Sequence, residues 1–115
     1  MALSRGNLSD VVVVAAASTV GIVTVASSKK VYVRSILAHA GTAVTAYAQV
    51  YFVPNGGSVS ASTRIFDVQV DGGDTSGSVL LEPSYPLVLD TTGDSIQVGA
   101  KTATVNFIIT GDRES

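Results

Sequence analysis

Residues 94–110 read DSIQVGAKTATVNFIIT. Ile96, Val98 and Ala100 share one parity; past Lys101-Thr102, so do Ala103, Val105, Phe107 and Ile109. A period of two is the signature of a strand with one buried face, because successive side chains leave a pleated backbone on opposite sides. The stretch therefore reads as two strands, with Lys101-Thr102 as a tight turn that makes them a closing hairpin. Just upstream, LEPSYPLVLDTTG (81–93) holds two shorter runs. Pro83 and Pro86 read as a corner between sheets, since proline lacks the N–H that a central ladder needs. Gly93 supplies the positive φ of the following turn.

The same pattern extends towards the N-terminus. RIFDVQV (64–70) puts Phe66, Val68 and Val70 inward. VTAYAQVYFV (44–53) puts Val44, Ala46, Ala48, Val50 and Phe52 on one face and Thr45, Tyr47, Gln49 and Tyr51 on the other. In VYVRSILAHA (31–40) the alternation slips at Arg34-Ser35, and a β-bulge there restores it. DVVVVAA (10–16) and VGIVTVA (20–26) form one long apolar run, but its valines, Ser18, Thr19 and Gly21 suit a pair of strands better than a leader or a membrane helix. The longest loop is PNGGSVSAST (54–63), and DGGDTSG (71–77) is a turn cluster.

Eight or nine short strands, with turn signals every 8–12 residues or so and no helical period, predict an all-β fold: an antiparallel β-sandwich, jelly-roll-like. The 115 residues suit one domain. It is expected over 10–111, with residues 1–9 as an N-terminal arm without strand pattern and 112–115 as a C-terminal tail.

Composition narrows the function. Charged residues make up 14% and the net charge is −2, so no basic stripe is available for phosphates or an anionic membrane. The absence of Cys removes disulfides, thiol catalysis and thiolate metal sites. His39, the single histidine, stands near the end of its strand with no nucleophile motif around it. Asp71, Asp74, Asp90 and Asp94 fall in turns, where a carboxylate usually bonds the local backbone. Their spacing does not match the Asp-rich EF-hand calcium loop, and no Trp is present to stack under a sugar. The expectation is a protein that is not an enzyme and carries no cofactor or metal.

Apolar side chains on outer faces remain to be explained. Tyr47 and Tyr51 oppose the inward set of their strand, and Ile108 shares its parity with the polar Thr104 and Asn106. A subunit interface would bury them. The order of pieces VYVRSILAHA, VTAYAQVYFVPNGG, RIFDVQV, LLEPSYPLVLDTTGDSIQVGA and ATVNFIITG, over residues 31–111, resembles small β-rich virion structural proteins of tailed bacteriophages. The resemblance implies a virion location and a capsid cement or decoration role through protein–protein contacts. It implies a homo-oligomer, a trimer by preference, and the major capsid protein or another virion protein as partner, with neither nucleic acid nor membrane. The arm then becomes a reach to a neighbouring subunit, adding Leu3 and Arg5 to Tyr47, Tyr51 and Ile108 as interface residues. A neck, tail or fibre component is the alternative within that class. A carbohydrate-binding module or adhesin domain is the alternative outside it.

Overall fold

The computed structural model describes residues 3–25, 29–41, 45–71 and 78–114, with side chains from Arg5 onward. The expectations for Val44 and Asp74 lie outside the described residues. None of the described residues is helical.

Among them the strands are β1 (Leu3–Asn7), β2 (Val12–Val14), β3 (Ser18–Thr24), β4 (Val31–Ala40), β5 (Ala46–Val53), β6 (Arg64–Val70), β7 (Ser78–Leu81), β8 (Leu87–Leu89), β9 (Ser95–Lys101) and β10 (Val105–Glu114). One sheet runs β1-β10-β4-β7, with β2 also on β10 and β8 also on β4; the other runs β3-β9-β5-β6. All pairings are antiparallel. β1 and β2 lie along the same edge of β10, against its residues 110–114 and 105–107. β7 and β8 likewise share one edge of β4. The ten segments thus occupy eight lanes, four per sheet, in the order of a jelly roll.

The inner faces carry the parity expected from the sequence. Ile96, Val98, Ala100, Ala103, Val105, Phe107 and Ile109 are all buried, as are Ala46, Ala48 and Val50. Phe52, Phe66 and Val68 are half-buried and pack against this core instead of lying fully within it; Phe66 and Val68 stand on β6, an edge strand. The bulge in β4 is present: Ser35 pairs with Thr110 and Val33 with Gly111, leaving Arg34 as the extra residue. It switches the inward set from Val31 and Val33 to Ile36, Ala38 and Ala40. Gly111 is required opposite it, because a Cβ there would stand 1.9 Å from the Tyr32 carbonyl oxygen.

Several expectations are corrected. β9 and β10 are not a hairpin: β9 pairs with β3 and β5, β10 with β1, β2 and β4. Residues 102–104 cross between sheets, as residues 15–17 do between β2 and β3. Alternation reports which face is buried and carries no information on the neighbour. Both crossings use a non-glycine residue at positive φ, Ala17 (61°) and Thr102 (73°). The Pro83–Pro86 corner joins β7 to β8 within one sheet, as a break in its edge opposite the β4 bulge. The N- and C-terminal segments are not free: Leu3–Asn7 pair with Thr110–Glu114. Polar composition hid β1, because an edge strand can be polar on both faces.

Candidate interaction surface

The outer face of the β1/β2-β10-β4-β7/β8 sheet is built in cross-strand rows. Ile108 pairs with Leu37, and Leu37 with Leu80. Val11 precedes Val12, the partner of Phe107, and lines a shallow groove with Ile108 and Leu37. Val11, Ile108, Leu37 and Leu80 therefore make an apolar row across all four lanes. Val11 is 62% exposed, Leu80 55% and Leu37 38%; Ile108 is half-buried. Exposed Val13 and Val88 lie on the same face. Of this row the sequence reading singled out Ile108 alone. Leu37 was legible once the bulge set the parity of β4: with Ile36 and Ala38 inward, Leu37 must point out.

The rows flanking it are more polar, although Val13 pairs with Asn106 in one and Glu82 and Arg34 stand beside Ser35 and Thr110 in the other. On one side Asn106, His39 and Ser78 pair in sequence, and His39 Nδ1 is hydrogen-bonded to Ser78 Oγ at 2.8 Å. A serine nucleophile also needs its base oriented by a third group and donors for an oxyanion. This pair instead sits on an open sheet face beside Asn106 and Val13. On the other side Asn7, Thr110 and Ser35 align, with the Ser35 and Thr110 hydroxyls hydrogen-bonded to each other.

An ion-pair network lies at the end beyond the bulge. Asp112, 2% exposed, accepts from Arg5 Nε at 2.9 Å and Arg34 Nε at 2.7 Å. Hydrogen bonds from Arg5 and then Arg34, with the attraction of both cations, hold the Asp112 carboxyl below its ordinary range against the opposing effect of burial. The Arg5 guanidinium is correspondingly raised. Arg5 is thus tied to its own sheet, and Leu3 stands at the edge opposite Glu114.

The two tyrosines are not part of this surface. They lie on the outer parity of β5, in the other sheet. Tyr47 is half-buried, with Lys101 Nζ 5.8 Å from its ring centroid. Tyr51 was expected outside, yet it is 5% exposed and its hydroxyl donates to Gln49 Oε1 at 3.2 Å. Parity placed it on the outer face and could not show that this end of the sheet is covered; Val53 on the same parity is buried too.

The described turn carboxylates are engaged, Asp71 and Asp90 with local partners and Asp94 both within its turn and across to Asn55. Asp94 accepts from the backbone N–H of Asn55 at 3.0 Å and of Thr91 at 3.3 Å. Asp71 accepts from Gln69 Nε2 and Asp90 from the Thr91 hydroxyl. Among the described residues no three His, Asp or Glu side chains gather as a metal site would require. A polar cleft of about 370 Å³ fills the break between β7 and β8, lined by Arg34, Ser35, Glu82, Pro83, Ser84, Pro86 and Thr110. Tyr85, in the same corner, is 84% exposed.

No protein-family model matches the chain. No curated protein matches it. Similar solved structures include the cryo-EM structure of the giant freshwater prawn Macrobrachium rosenbergii extra small virus VLP, with 11% identity, a TM-score of 0.48, and coverage of 100% of this chain and 81% of that one. They also include infectious bursal disease virus, Gx strain, with 7% identity, a TM-score of 0.46, and coverage of 97% of this chain and 31% of that one. The Gt strain gives 9% identity and a TM-score of 0.44, with coverage of 97% of this chain and 32% of that one. The chain thus spans about a third of the bursal disease virus chains it matches. Likenesses at this level assign no function.

Proposed function

We propose that this is a non-enzymatic virion structural protein, working as a cement or decoration protein on a tailed-phage head. The observation that carries the reading is the concentration of exposed large apolar side chains on one open face of a jelly roll. A surface of that kind binds through contact area and shape, and jelly rolls serve repeatedly as virion building blocks. The phage and cement assignments rest on the sequence resemblance over residues 31–111. Leu3 and Arg5 enter as edge-strand residues instead of members of a free arm. The test is to mix the protein with undecorated heads of its cognate phage and measure what co-sediments. Saturable binding that raises the heat resistance of the heads is expected. No binding to heads removes the cement role, and binding to purified tails instead moves the protein to the neck or tail.

A second reading, a carbohydrate-binding module or adhesin domain, is favoured by one observation: Tyr85 stands exposed beside a cleft offering both donors and acceptors, Arg34, Ser35, Glu82 and Thr110. Jelly rolls also serve as lectins. Glycan-dependent stabilisation lost on Tyr85→Ala would favour this reading over the first.

A further inference from the structure

We propose that the open flank between the edges of β1 and β3 captures an extended acidic segment of another chain, which adds itself as a strand along β1 with its carboxylates on Arg113, Lys29 and Arg5. This deepens the structural-protein reading and rests on it for its biological setting.

β1 and β3 are end strands of their sheets. Two adjoining hollows open on the side they share, of about 440 and 220 Å³, with Leu8 and Arg113 in the wall of both. Leu8, Ile22 and Val31 floor the larger hollow, with Lys29 and Arg113 on its rim; Arg5 and Asn7 stand beside the smaller. Arg113 shares the parity of Ile109 and Gly111, so it leaves β10 on the inner face and reaches this flank. Its Nη2 donates to the Leu8 carbonyl at 3.3 Å, and among the described residues no carboxylate forms an ion pair with it. The acids close by have other partners. Glu114, in the wall of the larger hollow, is 8% exposed and accepts from the Lys30 N–H at 2.8 Å; Asp112, 2% exposed, accepts from Arg5 and Arg34. Arg5, Lys29 and Arg113 are all exposed, so the described residues around the hollows show positive charge to solvent. Exposed Asp10, further along the same edge, bounds this basic stretch.

These features select the occupant together. The outer edge of an end strand leaves alternate N–H and C=O groups without a strand partner, which an added strand satisfies. Leu3–Asn7 offers five residues, or about 17 Å of extended chain. Side chains of one parity on the added strand enter the hollows, an aliphatic one over Leu8 and Ile22 and a carboxylate onto the Arg113 guanidinium, which can pair with both its oxygens. Those of the other parity pass Arg5. A basic segment is repelled. A simple anion leaves the apolar floor uncovered, and a fatty acid leaves the β1 edge unpaired.

The experiment titrates the full chain with a short acetylated peptide of alternating Glu and Val, and with its Lys/Val counterpart, following backbone amide shifts by NMR. The Glu/Val peptide should bind with a dissociation constant below about 1 mM, shift the amides of Arg5–Leu8 and Ile22–Thr24, and bind more weakly as salt rises from about 50 to 200 mM. Arg113→Gln should weaken it about tenfold. Arg113 is exposed, so folding should survive, and circular dichroism and melting check this; Lys29→Glu is the second variant should Arg113→Gln prove unstable. No shift at millimolar peptide overturns the proposal, as do equal binding of the Lys/Val peptide, shifts confined to other strands, or affinity indifferent to both variants. Decanoate or sulfate shifting the same amides as strongly as the peptide would make the flank a site for a small amphiphile or a simple anion and end the strand-capture proposal. Peptide capture by a protein that binds no heads would count against the cement role alone.

Discussion

Gly111 shows how one residue can decide a register. It faces the β4 bulge, and a methyl group would meet the Tyr32 carbonyl oxygen at 1.9 Å. Gly111→Ala should therefore cost about 3 kcal/mol, because backbone must move to admit it; urea denaturation measures this, and a change under about 1 kcal/mol would show that the bulge yields freely. Phe107 acts by volume. It is the largest fully buried side chain in a core otherwise built from Val, Ile, Leu and Ala. Phe107→Ala removes atoms that such small neighbours cannot replace, so a loss of about 3–5 kcal/mol is expected in the same assay.

At the scale of elements, β10 holds the first sheet together, flanked by β4 on one side and by β1 and β2 on the other. Asp112 on β10 bonds Arg5 of β1 and Arg34 of the β4 bulge, tying three strands at one point. Its pKa is lowered in the folded state, so folding favours the carboxylate. The associated stability is complete above the ordinary carboxylate range and is lost as pH falls through the folded value. Melting temperature should drop on acidification below about pH 4, and Asp112→Asn should flatten that drop while lowering stability at pH 7. An unchanged acid profile in Asp112→Asn would show that other carboxylates set it. β1 itself is structural. Leu8 beyond it is buried, and its N–H donates to Ile109 O at 2.7 Å. Deleting residues 1–9 strips this edge and should lower the melting temperature by about 10 °C, equivalent to about 2 kcal/mol; an unchanged value would restore the free-arm reading.

Across the whole molecule, strands distant in sequence are neighbours in space. Leu3 pairs with Glu114, and Ser18 with Ala100. Among the described strands, β5 and β6 are the one pair of consecutive strands that lie side by side. Loop closure must precede most of the reward in such a topology, so refolding should take milliseconds to seconds. Stopped-flow fluorescence of the tyrosines would check it, and a microsecond phase carrying the full amplitude would contradict this topology.

The sequence by itself determined which residues face the core. Alternation in 94–100, 103–109 and 44–52, and its slip at Arg34-Ser35, depend on side chains leaving a pleated strand on alternate sides, which is a local property. The turn at Gly93 and the turn formed by Pro54–Gly57, with Gly56 at φ 81°, are local for the same reason. Tertiary structure alone decided partnership and cover. It separated β9 from β10, joined β7 and β8 along one edge, recruited polar Leu3–Asn7 as a strand, buried Tyr51 and left Leu37 and Leu80 open. These outcomes turn on which distant backbone satisfies a strand's hydrogen bonds and on what lies over its second face, and neither is encoded within any one segment.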